Sequence, residues 1–293
     1  MHLKIFFYLL IFIFSFPTYS ENKTYDFPSL SSFLEKEVKK GRYPGFLTYI
    51  KKNGNLIYSE VIGFNDVKNK TPLKEDSLFR IYSMTKPVTG VALMIAVDQG
   101  LVNLSDSVTK YIPEFKNTRV LLDNNKTEKL KRNITLLDLA THTSGLAYTF
   151  SIKGDLQEIY LQEKIFPYYA INTLSDDVKP EKIYKDICTF SRKVATVPLA
   201  HQPGDAWTYS IGMDILGCVI EKASNMSFGN FLKKNIFEPL QMNDTFFKVP
   251  EAKRSRMTNL YAHHNAFKAF SVDIPKELKG KKPKMYLIDS SRD

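Results

Sequence analysis

The stretch FRIYSMTKPVTGV, residues 79–91, decides the fold. It places Ser83 and Lys86 at S-x-x-K spacing, directly before a run of small apolar residues that ends at Gly100. Residues three apart on a helix share one face, so a helix beginning here would bring the hydroxyl and the amine within hydrogen-bonding reach. The N-terminal amides of a helix also favour a developing oxyanion. We therefore interpret Ser83 as a candidate nucleophile and Lys86 as its neighbour.

The surroundings of this tetrad strengthen the interpretation. A serine hydroxyl is a poor nucleophile until a neighbouring base takes its proton, and a lysine serves as that base when burial and positive charge lower its pKa. By spacing alone, a helix-capping serine followed by a surface lysine would explain the same four residues. The apolar context favours a site instead, because 77–82 predict a short strand and 88–97 predict a helix buried on every side.

The residues before this stretch predict a small antiparallel sheet. Residues 29–40 have the spacing of a short amphipathic helix. Two strand-like runs follow, at 45–52 and 55–63, joined by Asn53–Gly54. An Asn-Gly pair between such runs is the strongest short-range signal for a hairpin.

The residues after Gly100 are mainly helical or irregular in pattern. Thr135 with Asp138 resembles a capping box, and residues 209–223 form a strongly periodic helix. Residues 124–133 read as a polar loop, and the chain beyond residue 245 is polar without a convincing closing strand. The sequence therefore predicts an α/β protein of the α+β type.

The N-terminus predicts export. Residues 1–20 carry one cation, Lys4, then an apolar run, then small residues that suit cleavage after Ser20. The apolar run is shorter than the roughly 20 residues that span a bilayer as a helix. We predict a signal peptide at 1–20 and an exported (periplasmic or secreted) mature chain without a membrane span; an uncleaved anchor is the alternative.

Charge and cysteine content exclude several function classes. The net charge is +10, but the lysines are dispersed, which indicates a solvated basic surface and no nucleic-acid partner. Export permits a disulfide between Cys188 and Cys218, although the helical pattern around Cys218 favours a buried small residue. His201 and the other histidines lack metal-ligand spacing, so we predict no metal.

Three stretches together resemble one known family. Residues 79–91 look like the first motif of serine β-lactamase-related hydrolases, the group that holds class C β-lactamases, D-Ala-D-Ala peptidases and family VIII esterases. Residues 134–146, ITLLDLATHTSGL, resemble its helix-and-turn signature, and 202–246, opening with QPGDAWTYS, are the strongest match. The resemblance implies a β-lactamase/transpeptidase-like fold, with an antiparallel sheet packed on helices and a mainly helical subdomain. It implies such a domain at 21–247 and a linker-like segment at 248–293.

The resemblance also assigns roles to single residues. Ser83 matches the acylated serine, Lys86 the lysine that orients and deprotonates it, and Tyr209 the proton-shuttling tyrosine of the Y-x-N motif. His142 matches a histidine that is structural in the family. Without the family, Tyr209 would be interpreted as an aromatic packing near Trp207, because aromatic side chains mostly bury area. No cofactor is implied.

Two departures from the family pattern shape the functional prediction. Ile211 replaces the asparagine of Y-x-N, which favours an esterase-like branch over efficient β-lactam turnover. No K-T-G, H-x-G or W-x-G triplet follows Tyr209, so the last sheet strands of the family are expected to be missing. We expect hydrolysis of a small-molecule ester or amide, peptidoglycan-derived compounds included, through an acyl-serine. The alternatives are a β-lactamase or D-Ala-D-Ala carboxypeptidase, and a truncated non-catalytic binding protein.

Overall fold

The structure, a computed structural model, describes residues 26–165, 184–263 and 285–289. The predicted signal peptide at 1–20 lies outside these ranges, so its cleavage stays a prediction. Antiparallel strands and packed helices both occur, as the sequence predicts for an α+β protein.

The N-terminal part is a helix followed by a three-stranded antiparallel sheet of order β1-β2-β3. Its elements are α1 (Pro28–Lys39), β1 (Gly45–Lys52), β2 (Asn55–Asp66) and β3 (Thr71–Pro72). Asn53 and Gly54 join β1 to β2 with positive φ angles of 51° and 81°. Such angles are what a tight hairpin turn requires. The predicted helix and hairpin are therefore confirmed.

The strand predicted at 77–82 is wrong. Leu78 makes only an isolated parallel bridge to Met257, and its backbone bonds to Arg256 and Thr258 instead of to β3. Tyr82 has a φ of 42°, which lies outside the extended region that a strand requires. The segment is an irregular connection to the site, tied to a distant part of the chain.

Six α-helices form the rest of the described core. They are α2 (Thr85–Asp98), α3 (Leu136–Thr141), α4 (Gly154–Gln162), α5 (Ile187–Val194), α6 (Gly212–Ser224) and α7 (Phe228–Leu232), the last continuing into a π-helical turn at Lys233–Phe237. Helices α2, α3, α5 and α7 all contact α6, which lies at the centre of this packing. Its residues 215–220 are all buried, so α6 is a fixed support for the residues before it.

Helix α2 is amphipathic rather than buried on every side as its sequence predicts. Ala92 and Ala96 are fully buried and face the core. Val91 and Met94 are about half exposed, at 51% and 50%. Apolar composition alone cannot reveal which face of a helix finds a partner, and that part of the prediction is wrong.

The predicted capping box at α3 is confirmed. Thr135 accepts a hydrogen bond from the Asp138 amide, and the Asp138 carboxylate accepts one from the Thr135 amide. Arg132 donates two further bonds to the same carboxylate, at 2.5 and 2.8 Å. Burial would raise the pKa of Asp138, but these donors and the Arg132 charge hold it at about 2. The start of α3 is therefore firmly fixed.

A disulfide joins Cys188 on α5 to Cys218 on α6. Cys218 is buried, as its helical pattern indicates, and the question of a disulfide that the sequence leaves open is decided by the facing helix, which presents Cys188. Both cysteines are buried, with 6% and 1% of their surface exposed. The cross-link ties α5 to the helix that follows Tyr209.

Two further pairs of strands lie where the sequence predicts none. Strand β4 (Arg119–Leu121) pairs with β5 (Thr127–Lys129), which lies within the loop predicted at 124–133. Strand β6 (Leu260–His263) pairs with β7 (Met285–Asp289). The sequence predicts no strand at these positions, and the pair β6–β7 is a finding of the structure. Short strands carry too few alternating residues for their pattern to be recognised. In the described ranges, β6 and β7 form a separate sheet and do not extend β1-β2-β3.

The segment before β6 is held against the N-terminal sheet. Arg256 pairs with both Asp76 and Asp244. The Asn259 amide donates to the Asn65 side chain at 3.1 Å. Among the described helices, none combines the length and apolar character needed to cross a bilayer.

Candidate active site

The three predicted site residues meet at the beginning of α2. Ser83 lies in a 3₁₀ turn, Tyr82–Met84, and Lys86 lies in the first turn of α2. Lys86 Nζ donates a hydrogen bond to Ser83 Oγ at 3.1 Å. The hydroxyl oxygens of Tyr209 and Ser83 are 2.8 Å apart. The structure thus brings all three polar atoms together across a wide separation in sequence.

The turn that carries Ser83 has an unusual backbone. Tyr82 has a φ of 42°, in the left-handed region that residues other than glycine rarely adopt. The Met84 amide closes the turn by donating to the Ile81 carbonyl at 2.9 Å. Conformations of this kind cost of order 1–3 kcal/mol and are concentrated at active sites and ligand clamps. Ser83 itself is exposed, so an approaching molecule can reach its hydroxyl.

Lys86 controls the electrostatics of Tyr209. Its Nζ lies 4.8 Å from the centroid of the Tyr209 ring and 5.3 Å from that of Tyr148. Burial alone would raise the pKa of Tyr209, but hydrogen bonds with Lys86 and Ser83 and the Lys86 charge outweigh it. The pKa of Tyr209 therefore lies below its ordinary value of 10.0, which favours the phenolate.

The ring of His142 packs against that of Tyr209. Among the described residues, no hydrogen bond joins His142 to Ser83. His142 Nδ1 accepts the Ser210 amide at 3.2 Å and lies 3.0 Å from Ser210 Oγ. Its ring centroid lies 5.0 Å from that of Tyr209. Burial, followed by the Lys86 charge, lowers the pKa of His142. The residue is a neutral support, in agreement with the structural role that the resemblance implies.

A glycine fixes the turn that follows His142. Gly145 has a φ of 85°, and a Cβ there would lie 2.3 Å from the His201 carbonyl oxygen. The Ala200 amide donates to the Gly145 carbonyl at 2.8 Å. Only glycine allows this close approach, which draws the segment leading to Tyr209 against the turn after α3.

Sequence reasoning missed two residues beside Lys86. Asp214, in the first turn of α6, is half-buried, and burial raises its pKa to about 6 although the Lys86 charge opposes the shift. Tyr148 contributes its ring to Lys86, and burial raises its pKa. An acidic residue in an apolar helix, five residues after Tyr209, could have identified Asp214 as a site residue from the sequence alone. No sequence feature identifies Tyr148, because its contact with Lys86 depends on folding.

Metal-ligating side chains and other serines near the site can also be placed. Among the described residues, no three His, Cys, Asp or Glu side chains cluster as metal ligands would. Ser144 and Ser210 are fully buried with no exposed surface. Ser151 is exposed, but its hydroxyl donates to the backbone carbonyls of Tyr148 and Tyr209, each at 2.8 Å. Ser83 is the exposed serine whose hydroxyl contacts both Lys86 Nζ and the Tyr209 hydroxyl.

Comparison with known proteins gives a consistent result. Residues 30–283 match the family model described as Beta-lactamase. Protein Rv1367c of Mycobacterium tuberculosis is 34% identical over 225 residues, which cover 75% of this chain and 52% of that protein. Esterase EstB of Burkholderia gladioli is 30% identical over 225 residues, which cover 77% of this chain and 52% of EstB.

A solved structure supports the fold. EstCE1, described as a hydrolase with promiscuous acyltransferase activity, superposes with a TM-score of 0.63 at 23% identity, over 79% of this chain and 55% of EstCE1. At that identity the likeness concerns the fold alone. The chain spans about half the length of the curated relatives it matches.

Proposed function

The chain belongs to the beta-lactamase family of hydrolases, and on this premise we propose that it is an exported serine hydrolase that acts through an acyl-serine intermediate. The substrate is a small-molecule ester or amide, and we favour an ester. Ser83 is the nucleophile, Tyr209 the base and Lys86 the cation that activates both.

One observation carries this proposal: Ser83 Oγ lies within hydrogen-bonding distance of both Tyr209 and Lys86, at 2.8 and 3.1 Å. Ser83 Oγ attacks the carbonyl carbon while its proton passes to the Tyr209 oxygen. The leaving alcohol then takes that proton, and a water molecule hydrolyses the acyl-serine by the reverse transfers. A nucleophile and a base within hydrogen-bonding reach, with a third group orienting the base, are the general signature of covalent catalysis.

An ester is favoured over a β-lactam because of Ile211. Its side chain is buried, with 2% of its surface exposed. It cannot form the hydrogen bonds to an acyl amide that an asparagine would offer. The similarity to a protein named as an esterase points in the same direction.

A β-lactamase or D-Ala-D-Ala carboxypeptidase is the alternative within the same chemistry. The net charge of +10 would suit anionic peptidoglycan-derived substrates.

Labelling with a fluorophosphonate, which reacts only with an activated serine, tests the proposal. We expect the exported protein to be labelled once, at Ser83, and the Ser83→Ala variant to lose both labelling and hydrolysis of aryl esters. Ser105→Ala, which removes an exposed serine on the loop after α2, is the matched control and should be labelled normally. Faster hydrolysis of a chromogenic cephalosporin than of aryl esters would favour the β-lactamase alternative. No labelling of a folded wild-type protein would favour a non-catalytic binding protein.

A further inference from the structure

Two aromatic side chains beside the candidate nucleophile keep about half or more of their surface exposed. Phe150, just after the turn that follows α3, is 47% exposed, and Trp207, two residues before Tyr209, is 64% exposed. Their ring centroids lie 6.2 and 6.3 Å from that of Tyr209, whose hydroxyl contacts Ser83. We call Phe150 and Trp207 the aromatic pair.

Both rings of the aromatic pair are held in place. The Phe150 ring stacks on Tyr148 at 5.0 Å with an interplanar angle of 10°. The Trp207 ring lies nearly parallel to that of Tyr209, at 19°, and meets His142 edge-on at 5.9 Å. Since Tyr148 and His142 are themselves buried, the pair rests on a rigid base.

Folding alone does not account for this exposure. Aromatic side chains contribute much of the stability of a protein core, because each can bury about 150–250 Å². In Phe150 and Trp207 about half or more of the surface remains exposed instead. Both rings offer apolar faces, and Trp207 adds a single N–H donor. The chemistry that such faces bind best is another uncharged ring, in stacked or edge-to-face contact.

We propose that the aromatic pair binds a ring carried by the substrate next to its ester carbonyl, so that the preferred substrates are uncharged aromatic esters. This inference rests on the proposed function, because it names the substrate class of the same site. The ring can belong to either half of the ester: phenyl acetate carries it on the alcohol, and methyl benzoate carries it on the acyl group.

Trp207 is the one tryptophan in the sequence, so its fluorescence reports binding at this position without any turnover. The Ser83→Ala variant is titrated separately with phenyl acetate, methyl benzoate and cyclohexyl acetate, with excitation at the red edge of the tryptophan absorption. We expect a saturable change with at least one aromatic ester, and a weaker or absent one with the saturated ring. Equal responses to phenyl and cyclohexyl acetate, or no response to either aromatic ester, would overturn the inference.

A kinetic test separates stacking from general packing. Trp207→Ala should lower kcat/KM for the preferred aromatic ester by about three- to ten-fold, as expected for loss of one aromatic contact, and Trp207→Phe should restore most of it. For ethyl acetate, which has no ring, Trp207→Ala should lower kcat/KM by a smaller factor, because only the packing of Trp207 on Tyr209 is lost. Phe33→Ala, which removes an aromatic side chain 56% exposed on α1, is the control. An equal loss with both esters would overturn the inference.

The two readouts distinguish failure of the inference from failure of the proposed function. If the fluorescence of Ser83→Ala responds to an aromatic ring but the wild-type protein hydrolyses no ester, the aromatic site is supported and the proposed hydrolase function is contradicted. If Ser83→Ala abolishes hydrolysis but Trp207→Ala leaves it unchanged, the hydrolase function is supported and the aromatic site is contradicted.

Discussion

The hydroxyl oxygen of Tyr209 lies 2.8 Å from Ser83 Oγ, although 126 positions separate the two residues in sequence. Ser83 enters this contact from the turn before α2, and Tyr209 from the segment before α6. Helices α2 and α6 pack directly on each other. The distance between the two oxygens therefore depends on the packing of these helices, and it can be tested from several directions.

Replacing Tyr209 by phenylalanine should remove the base and keep the ring. We expect Tyr209→Phe to lower the rate of Ser83 acylation by about 10²–10⁴-fold, the usual worth of a positioned proton acceptor. The rate of fluorophosphonate labelling measures this, and thermal unfolding should stay close to that of the wild-type protein. Labelling at the wild-type rate would assign the base to another group.

Replacing Lys86 should change the pH dependence as well as the rate. The pKa of Tyr209 lies below 10.0 because Lys86 and Ser83 outweigh burial. Acylation should therefore rise with pH as the phenolate forms, with its midpoint below 10.0 in the wild-type protein. In Lys86→Met the burial remains and the cation is gone, so the midpoint should move upward. Lys222→Met, at an exposed position late in α6, is the control for loss of one positive charge. An unmoved midpoint would argue against this electrostatic role.

Asp214 should make the protein less stable above its folded-state pKa. Burial raises that pKa from 3.8 to about 6, so the folded chain holds a proton that the unfolded chain has already released. By linkage, the contribution of Asp214 falls as pH rises from 3.8 to about 6 and then stays constant. Urea unfolding of Asp214→Asn should show no advantage below that window and a gain on the order of 3 kcal/mol above it, since each pKa unit corresponds to about 1.4 kcal/mol. A gain that is the same at every pH would refute the titration.

The disulfide should contribute substantially to stability. Cys188 and Cys218 close a loop of 30 residues between α5 and α6, and a cross-link of that span is typically worth about 3–4 kcal/mol. Unfolding by urea should therefore shift to lower concentration in the Cys188→Ala, Cys218→Ala double variant. Reductant should shift the wild-type protein in the same direction and leave the double variant unchanged. Coincident wild-type curves with and without reductant would show that the bond does not form.

Export should leave a mature N-terminus at Glu21. The prediction depends on the short apolar run within residues 1–20 and on Ser20. N-terminal sequencing of protein recovered outside the cytoplasm measures it, with Ser20→Pro as a variant expected to impair cleavage. Recovery of the intact N-terminus in a membrane fraction would instead identify an anchor.

The sequence by itself determined the local structure and the identity of the candidate residues. Asn53–Gly54 specified a hairpin because few other pairs tolerate two positive φ angles. Thr135 and Asp138 specified a helix start because their side chains and amides satisfy each other within four residues. Ser83 and Lys86 could be paired because helical spacing is itself local.

Only the tertiary structure decided which distant groups meet. The disulfide forms because α5 faces α6. Which side of α2 is buried depends on where the other helices pack against it. The bridge between Leu78 and Met257 joins residues that are far apart in sequence. The low pKa of Tyr209 and the high pKa of Asp214 are set by burial and by the position of Lys86. A sequence pattern reports neighbours within a turn or a strand, whereas burial and charge act through space, so these properties exist only once the helices have packed.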